Sequence, residues 1–140
     1  MGHRDVTVRL AKNDDGDAVA ALMEKIGAFQ WDNWEIDWHD LEPNWLIAEH
    51  SGDIVGCIQA IPAHPIGRIE ILAVDPALGI LVKTAVVKGL TSHAMGILKM
   101  YGSQCASSII PSRLGSYLDA LLERDWIVLE SGSIVMRRLE

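Results

Sequence analysis

Cysteine and phenylalanine are both scarce in this 140-residue chain, which has two of the first and one of the second. Cys57 and Cys105 sit in separate apolar runs without Cys-x-x-Cys spacing. That argues against a metal framework and reads both thiols as small buried hydrophobes, neither of them a nucleophile. The histidines at 3, 39, 50, 64 and 93 form no His-x-His or His-Glu-x-x-His pair, so no metal site is expected. Basic residues are also few: twelve Lys and Arg face nineteen Asp and Glu, for a net charge of −7, and nowhere do they form a run. The electrostatic footprint of a nucleic-acid binder is therefore missing, and so is attraction to an anionic membrane surface. Long apolar runs are absent too. The region near 78–100 is interrupted by Lys83, Lys88, His93 and Lys99, so no bilayer span is expected. The opening MGHRDVTVRL lacks the apolar core of a signal peptide, which leads to the expectation of a cytoplasmic protein with reduced thiols.

What is present is enough for one domain. With 49% apolar and 22% charged residues, residues 1–140 can bury a core without disulfides or metals. Val6, Val8 and Leu10 alternate with polar neighbours, the period of a half-buried strand. A helix follows, capped by Asp14 or Asp17, with Val19, Leu22, Met23 and Ile26 on one face and Gly27 at its end. WLIAEH and IVGCIQAI flank Ser51-Gly52-Asp53 and read as an antiparallel hairpin; GRIEILAV at 67–74 is a third strand. Over 78–100 the spacing predicts a helix with Val82, Val86, Gly89, Leu90, His93, Ile97 and Met100 on its apolar stripe. QCASSII reads as a strand. Pro111-Ser112 opens a helix with Leu114, Tyr117, Leu118, Leu121 and Leu122 inward, and WIVLE with SIVMRRL forms a closing hairpin around Ser131-Gly132.

The densest feature is WDNWEIDWHDLEPNW at 31–45, which holds four of the five tryptophans, five carboxylates and no Lys or Arg. Trp31, Trp34 and Trp38 recur at i, i+3 and i+7, so one helical face would carry all three rings until Pro43 stops the pattern. The rings either plug a core or wall a pocket for a cationic ligand through ring faces and nearby carboxylates. The pattern allows both.

The order of elements is strand, helix, Trp-rich helix, three-strand meander, long helix, strand, helix and hairpin. It predicts an α/β fold with one mixed, mostly antiparallel sheet flanked by helices on both faces. That order, with Asp17-Ala18 in the first helix, RIEILAVDP at 68–76 and LLERDW at 121–126, resembles the GNAT acyltransferases over essentially the whole chain. The resemblance implies acetyl transfer from acetyl-CoA to a small-molecule or peptide amine. It implies a thioester carbonyl held by backbone N–H groups near Leu72, Ala73 and Val74, and a pyrophosphate at the start of the long helix. There the family's Arg-Gly-x-Gly-x-Gly/Ala loop is replaced by GILVKT. Of these residues only Gly79 gives an unhindered backbone, with Lys83 and Thr84 as further phosphate donors. The family's general base falls on Glu70, whose alternative is an ion pair with Arg68. The family's acid, a tyrosine, falls on Leu121, with Tyr117 one turn earlier on the same face. Ser112 lies near the family's CoA-contacting Asn, with helix capping as its other reading. Trp31, Trp34, Glu35 and Trp38 would then wall the acceptor site. The missing glycines and arginine equally suit a second reading, a non-catalytic GNAT-fold binding or assembly protein without CoA, in which the tryptophans form an interface, with a homo-oligomer as one form of assembly.

Overall fold

A computed structural model describes residues 5–27, 36–130, 132, 135 and 137. They fall into two compact units, one ending at Ser108 and the other beginning at Ile109.

The first unit holds a five-stranded sheet in the order β1 to β5: β1 Val6–Leu10, β2 Trp45–His50, β3 Asp53–Ile61, β4 Ile66–Val74 and β5 Cys105–Ser107. Every pairing is antiparallel except the last, β4 with β5. Helix α1, Gly16–Ile26, covers one face with Val19, Leu22 and Met23 buried against Trp45, Ile47, Cys57 and Ala73. Helix α2, Ile80–Met100, covers the other, where Gly56 and Gly67 let its side chains come close to the sheet. The result is the mixed, mostly antiparallel α/β sheet with a helix on each face that the order of elements predicts.

Local chemistry explains most boundaries. Ser51 at φ 51° and Gly52 at φ 83° are both left-handed, the combination a two-residue hairpin turn requires. Gly27 at φ 71° ends α1 and donates its N–H to the Glu24 carbonyl at 3.1 Å. The entry to α1 differs from the sequence expectation. Neither Asp14 nor Asp17 occupies the N-cap; Asp15 does, after a short 3₁₀ turn at Asn13–Asp15. Its carboxylate accepts the Lys12 N–H and is gripped by two Arg9 hydrogen bonds of 2.8 and 2.9 Å, while Arg9 also donates to Glu49. The Arg9 guanidinium holds the Asp15 carboxyl below its ordinary range.

Other corrections share one cause, that burial is decided by what packs opposite. The buried stripe of α2 is Val86, Leu90, Ala94 and Leu98, at a strict i, i+4 spacing. His93 is exposed and bonds the Gly89 carbonyl, and Met100 is also exposed. Leu10 closes an edge strand and is exposed, as is Cys105, whereas Cys57 is fully buried and its thiol is pushed up to about 12. The described part of the tryptophan segment, 36–45, is not helical, and its last residue, Trp45, opens β2. Gly56→Ala would place a Cβ 2.7 Å from Val86 and 3.1 Å from the Ala73 carbonyl. It should cost roughly 1–3 kcal/mol of folding stability by overpacking, read as a lower urea midpoint. An unchanged midpoint would mean that α2 has room to move off the sheet.

The second unit contains a 3₁₀ turn at Ser112–Leu114 and helix α3, Gly115–Leu122, which buries Tyr117 and Leu121 one turn apart. Leu122 is exposed. Residues 126–130 form no strand, so the expected WIVLE strand is absent, and most of SIVMRRL lies outside the described residues. Ile127, Val128 and Leu129 are exposed, so β-propensity here is not matched by burial of a strand face.

Candidate functional site

Strand β4 carries the main irregularity of the sheet. Cys57 pairs with Ala73 and Gln59 with Glu70, so Ile58 alone is opposed by Ile71 and Leu72. This is a β-bulge, and Ile71 sits in it at φ 58°, an unfavourable region for a β-branched residue. The extra residue resets the alternation. Arg68 and Glu70 point to the α1 side together with Ile71 and Ala73, whereas Leu72 and Val74 turn to the α2 side. An unbroken strand would have put Glu70, Leu72 and Val74 on one face.

The bulge sets up a row across three strands on the α1 side: Trp45 pairs with Gln59, and Gln59 with Glu70. At ordinary strand spacing, Trp45 and Glu70 are about 10 Å apart along this row. Trp45 is buried in the core, and half-buried Trp38 meets it edge-to-face, with ring centroids at 5.8 Å and planes at 90°. The Glu70 side chain is 19% exposed, and Arg68 approaches it at the long distance of 4.0 Å. Of the sequence-selected acceptor residues, Trp38 is thus placed on the same face as Glu70. Trp31, Trp34 and Glu35 lie outside the described residues.

Beside the bulge the sheet opens. Strands β4 and β5 pair only at Ile66 with Cys105, Gly67 with Ala106 and Arg68 with Ser107. Beyond that the Ser108 hydroxyl reaches the Ile69 carbonyl at 2.5 Å, and among the described residues of this unit no strand pairs with the β5-side edge of β4 from Glu70 to Val74, whose other edge is held by β3. Leu72, Ala73 and Val74 are on this stretch.

The chain then passes Asp75 into α2. One Asp75 oxygen accepts the Ala77 N–H at 2.9 Å, and Lys25 at the end of α1 pairs with the carboxylate at 2.8 Å, holding it below its ordinary range. Gly79 is the N-cap at φ −64°, ψ 160°, with open space where a Cβ would stand. No residue from 77 to 84 has a positive φ, so Ile80, Leu81 and Val82 fit the helix start without strain. Their first-turn N–H groups point off the end of a 21-residue helix. Lys83 is half-buried, and the Thr84 hydroxyl donates to the Ile80 carbonyl at 2.8 Å. Ile80 and Leu81 are 75% and 69% exposed.

Tyr117 and Ser112 belong to the second unit. Tyr117 is buried on α3, and Ser112 is exposed in the preceding turn, where Leu114 rather than Ser112 is the N-cap of α3.

No family model matches the sequence, and no curated protein is similar to it. Solved structures are similar in shape. An aminoglycoside acetyltransferase from an uncultured soil metagenomic sample, in complex with sisomicin, matches with a TM-score of 0.68 at 16% identity, over 98% of each chain. Diaminobutyrate acetyltransferase from Paenibacillus lautus, with L-2,4-diaminobutyric acid and coenzyme A, matches at 0.64 and 22% identity over 85% of this chain and 76% of that one. The chain has the GNAT fold. A transcriptional regulator from Bacillus halodurans C-125 matches as well, at 0.72 and 13% identity over 94% of this chain and 99% of that one. The GNAT fold alone therefore does not assign an activity.

Sequence reasoning missed Gln59, the polar member of the cross-strand row, although a lone amide in IVGCIQAI was a visible signal. It also missed Lys25 with Asp75, whose pairing across 50 positions has no local signature. Among the described residues no cluster of His, Cys, Asp or Glu is arranged to hold a metal ion, and no helix is long and apolar enough to cross a membrane.

Proposed function

We propose that the chain is a GNAT acetyltransferase acting on a cationic small-molecule amine. The observation that carries this reading is the end of β4–β5 pairing at Arg68, with Glu70 two residues further on, beside a bulge and on the face occupied by Trp38 and Trp45. Acetyl-CoA supplies the acyl group, already activated as a thioester. The open edge at Leu72, Ala73 and Val74 offers backbone N–H groups to the thioester carbonyl, where negative charge develops during attack. The first turn of α2, beyond Gly79, offers N–H groups and a helix dipole to the pyrophosphate, with Lys83 adjacent. For Thr84 to join in, its hydroxyl must leave the Ile80 carbonyl.

Glu70 takes the proton of the attacking amine, directly or through water. The departing thiolate takes its proton from solvent. The Trp38 ring and the carboxylates of Asp37, Asp40 and Glu42 favour a positively charged acceptor. Two proteins of similar shape are an aminoglycoside and a diaminobutyrate acetyltransferase, which supports a polyamine-like acceptor.

Incubation with radiolabelled acetyl-CoA and either sisomicin or L-2,4-diaminobutyric acid should give acetylated amine and stoichiometric free thiol. A second reading is favoured by one observation, the two bulky apolar side chains of Ile80 and Leu81 at the helix start. It holds that the fold serves as a binding or assembly module without CoA. Absence of thiol release with every amine, together with absence of CoA binding, selects that reading.

A further inference from the structure

Both ring nitrogens of His39 meet carboxylates. Nδ1 lies 2.8 Å from Asp37 Oδ1, and Nε2 lies 2.9 Å from Asp17 Oδ1 at the start of α1. A neutral imidazole has one N–H, so in that form one nitrogen lone pair would face a carboxylate oxygen at under 3 Å; only the imidazolium donates to both. The contact is built into the backbone as well. Gly16 packs under the ring so closely that an added Cβ would lie 2.5 Å from both His39 Cδ2 and the Trp38 carbonyl. Further along, the Asn13 side-chain oxygen accepts the Leu41 and Glu42 N–H groups at 2.8 and 3.0 Å, and Glu42 accepts the Asn13 N–H at 3.0 Å. The segment carrying Trp38 is thus pinned at its far end by hydrogen bonds to a neutral amide and at its near end by His39.

We infer that His39 is a positioning residue that, as an imidazolium, clasps the 37–42 segment to α1 and seats Trp38 against Trp45, so that amine binding on this wall strengthens as His39 protonates. The consequence for binding rests on the acceptor reading above; the clasp itself does not. On deprotonation the Asp37 contact persists through an Nδ1–H tautomer, since Asp37 also accepts the His39 backbone N–H at 2.9 Å. The Asp17 contact to α1 is the one lost. The charged groups facing His39 are Asp37 from its own segment and Asp17 from α1. Asp14 and Asp15 follow from the 3₁₀ turn, with Asp15 already held by Arg9, and Asp40 and Glu42 lie beyond. The positive end of the α1 dipole opposes the imidazolium, and the carboxylates outweigh it. Asp37 and then Asp17 raise the His39 pKa above its ordinary value, and His39 lowers that of Asp37. The clasp is therefore complete below the ordinary histidine range and is lost as pH rises through the raised value. At the acid end it is lost as pH falls through the lowered value of Asp37.

The test uses 5-fluorotryptophan-labelled protein, with the Trp38 fluorine signal assigned by Trp38→Phe, across roughly pH 5.5 to 9, the range in which histidines titrate. The signal should move in one step that coincides with titration of the His39 ring protons, above the ordinary histidine value. Asp17→Asn should lower the midpoint, and His39→Gln should abolish the step. A Trp38 signal flat across this range, or a step that survives in His39→Gln, overturns the clasp. In parallel, sisomicin affinity should weaken roughly threefold across the same midpoint in the native chain, a change within reach of solvent-exposed ion pairs, and should lose that step in His39→Gln. Binding without a His39-dependent step overturns the coupling. A Trp38 step with no sisomicin binding at any pH upholds the clasp and removes the amine reading.

Discussion

Trp45→Ala should lower folding stability by roughly 3–5 kcal/mol, the range for deleting a large buried aromatic. Trp45 is 6% exposed and packs into the cluster formed by Val19, Leu22 and Met23 of α1 with Ile47, Cys57 and Ala73 of the sheet. Its ring also meets that of Trp38 in a T-shaped pair, a contact worth about 0.5–1.5 kcal/mol beyond area burial. The backbone pairings at this position, including the Ala11 N–H to the Trp45 carbonyl at 2.9 Å, survive the substitution, so the loss is one of packing. Guanidinium denaturation measures it. A loss below about 1 kcal/mol would mean that the ring is dispensable to the core and that the tryptophan segment is entirely a surface device. Trp38→Ala, at a half-buried position, should cost less and affect amine binding more.

On the proposed reaction, Glu70→Gln should reduce kcat by roughly 10²–10⁴-fold, the contribution of a general base, with the acetyl-CoA dissociation constant little changed. The substitution keeps the shape and removes the proton acceptor. Among the described residues Glu70 makes one ion pair, with Arg68 at 4.0 Å, an arrangement that contributes little to stability, so the unfolding midpoint should barely move. Unchanged turnover would reduce Glu70 to the rim ion pair that the sequence also allows. A large fall in stability with turnover per folded molecule intact would do the same.

The parts of this fold that were legible in the sequence are those dictated by neighbours along the chain. Alternation marked β1, the Val19, Leu22 and Met23 spacing marked α1, and Ser51-Gly52 marked the hairpin between β2 and β3. The bulge was not legible, because it arises from the register between β3 and β4 and puts an isoleucine where local preference would put glycine. Unbroken alternation would put Leu72 on the face of Glu70, and a single extra residue sends it to the other side. Segment 126–130 has the composition of a strand and forms none, because composition by itself does not fix backbone pairing. Bulky residues at the glycine-poor entry to α2 would resist an anion-binding loop if positive φ angles were needed there. Residues 77–84 reach the helix start without one.

Whether this helix start and the open edge of β4 retain a cofactor slot is tested most directly by calorimetric titration of acetyl-CoA into the native chain, with CoA as competitor. The account predicts saturable one-site binding that is displaced by CoA. It also predicts weaker binding in Lys83→Ala, and stabilisation against heat in proportion to occupancy. No heat of binding and no thermal shift at acetyl-CoA concentrations up to about 1 mM, which leaves less than about 4 kcal/mol for the interaction, would contradict it and leave a GNAT fold put to another use.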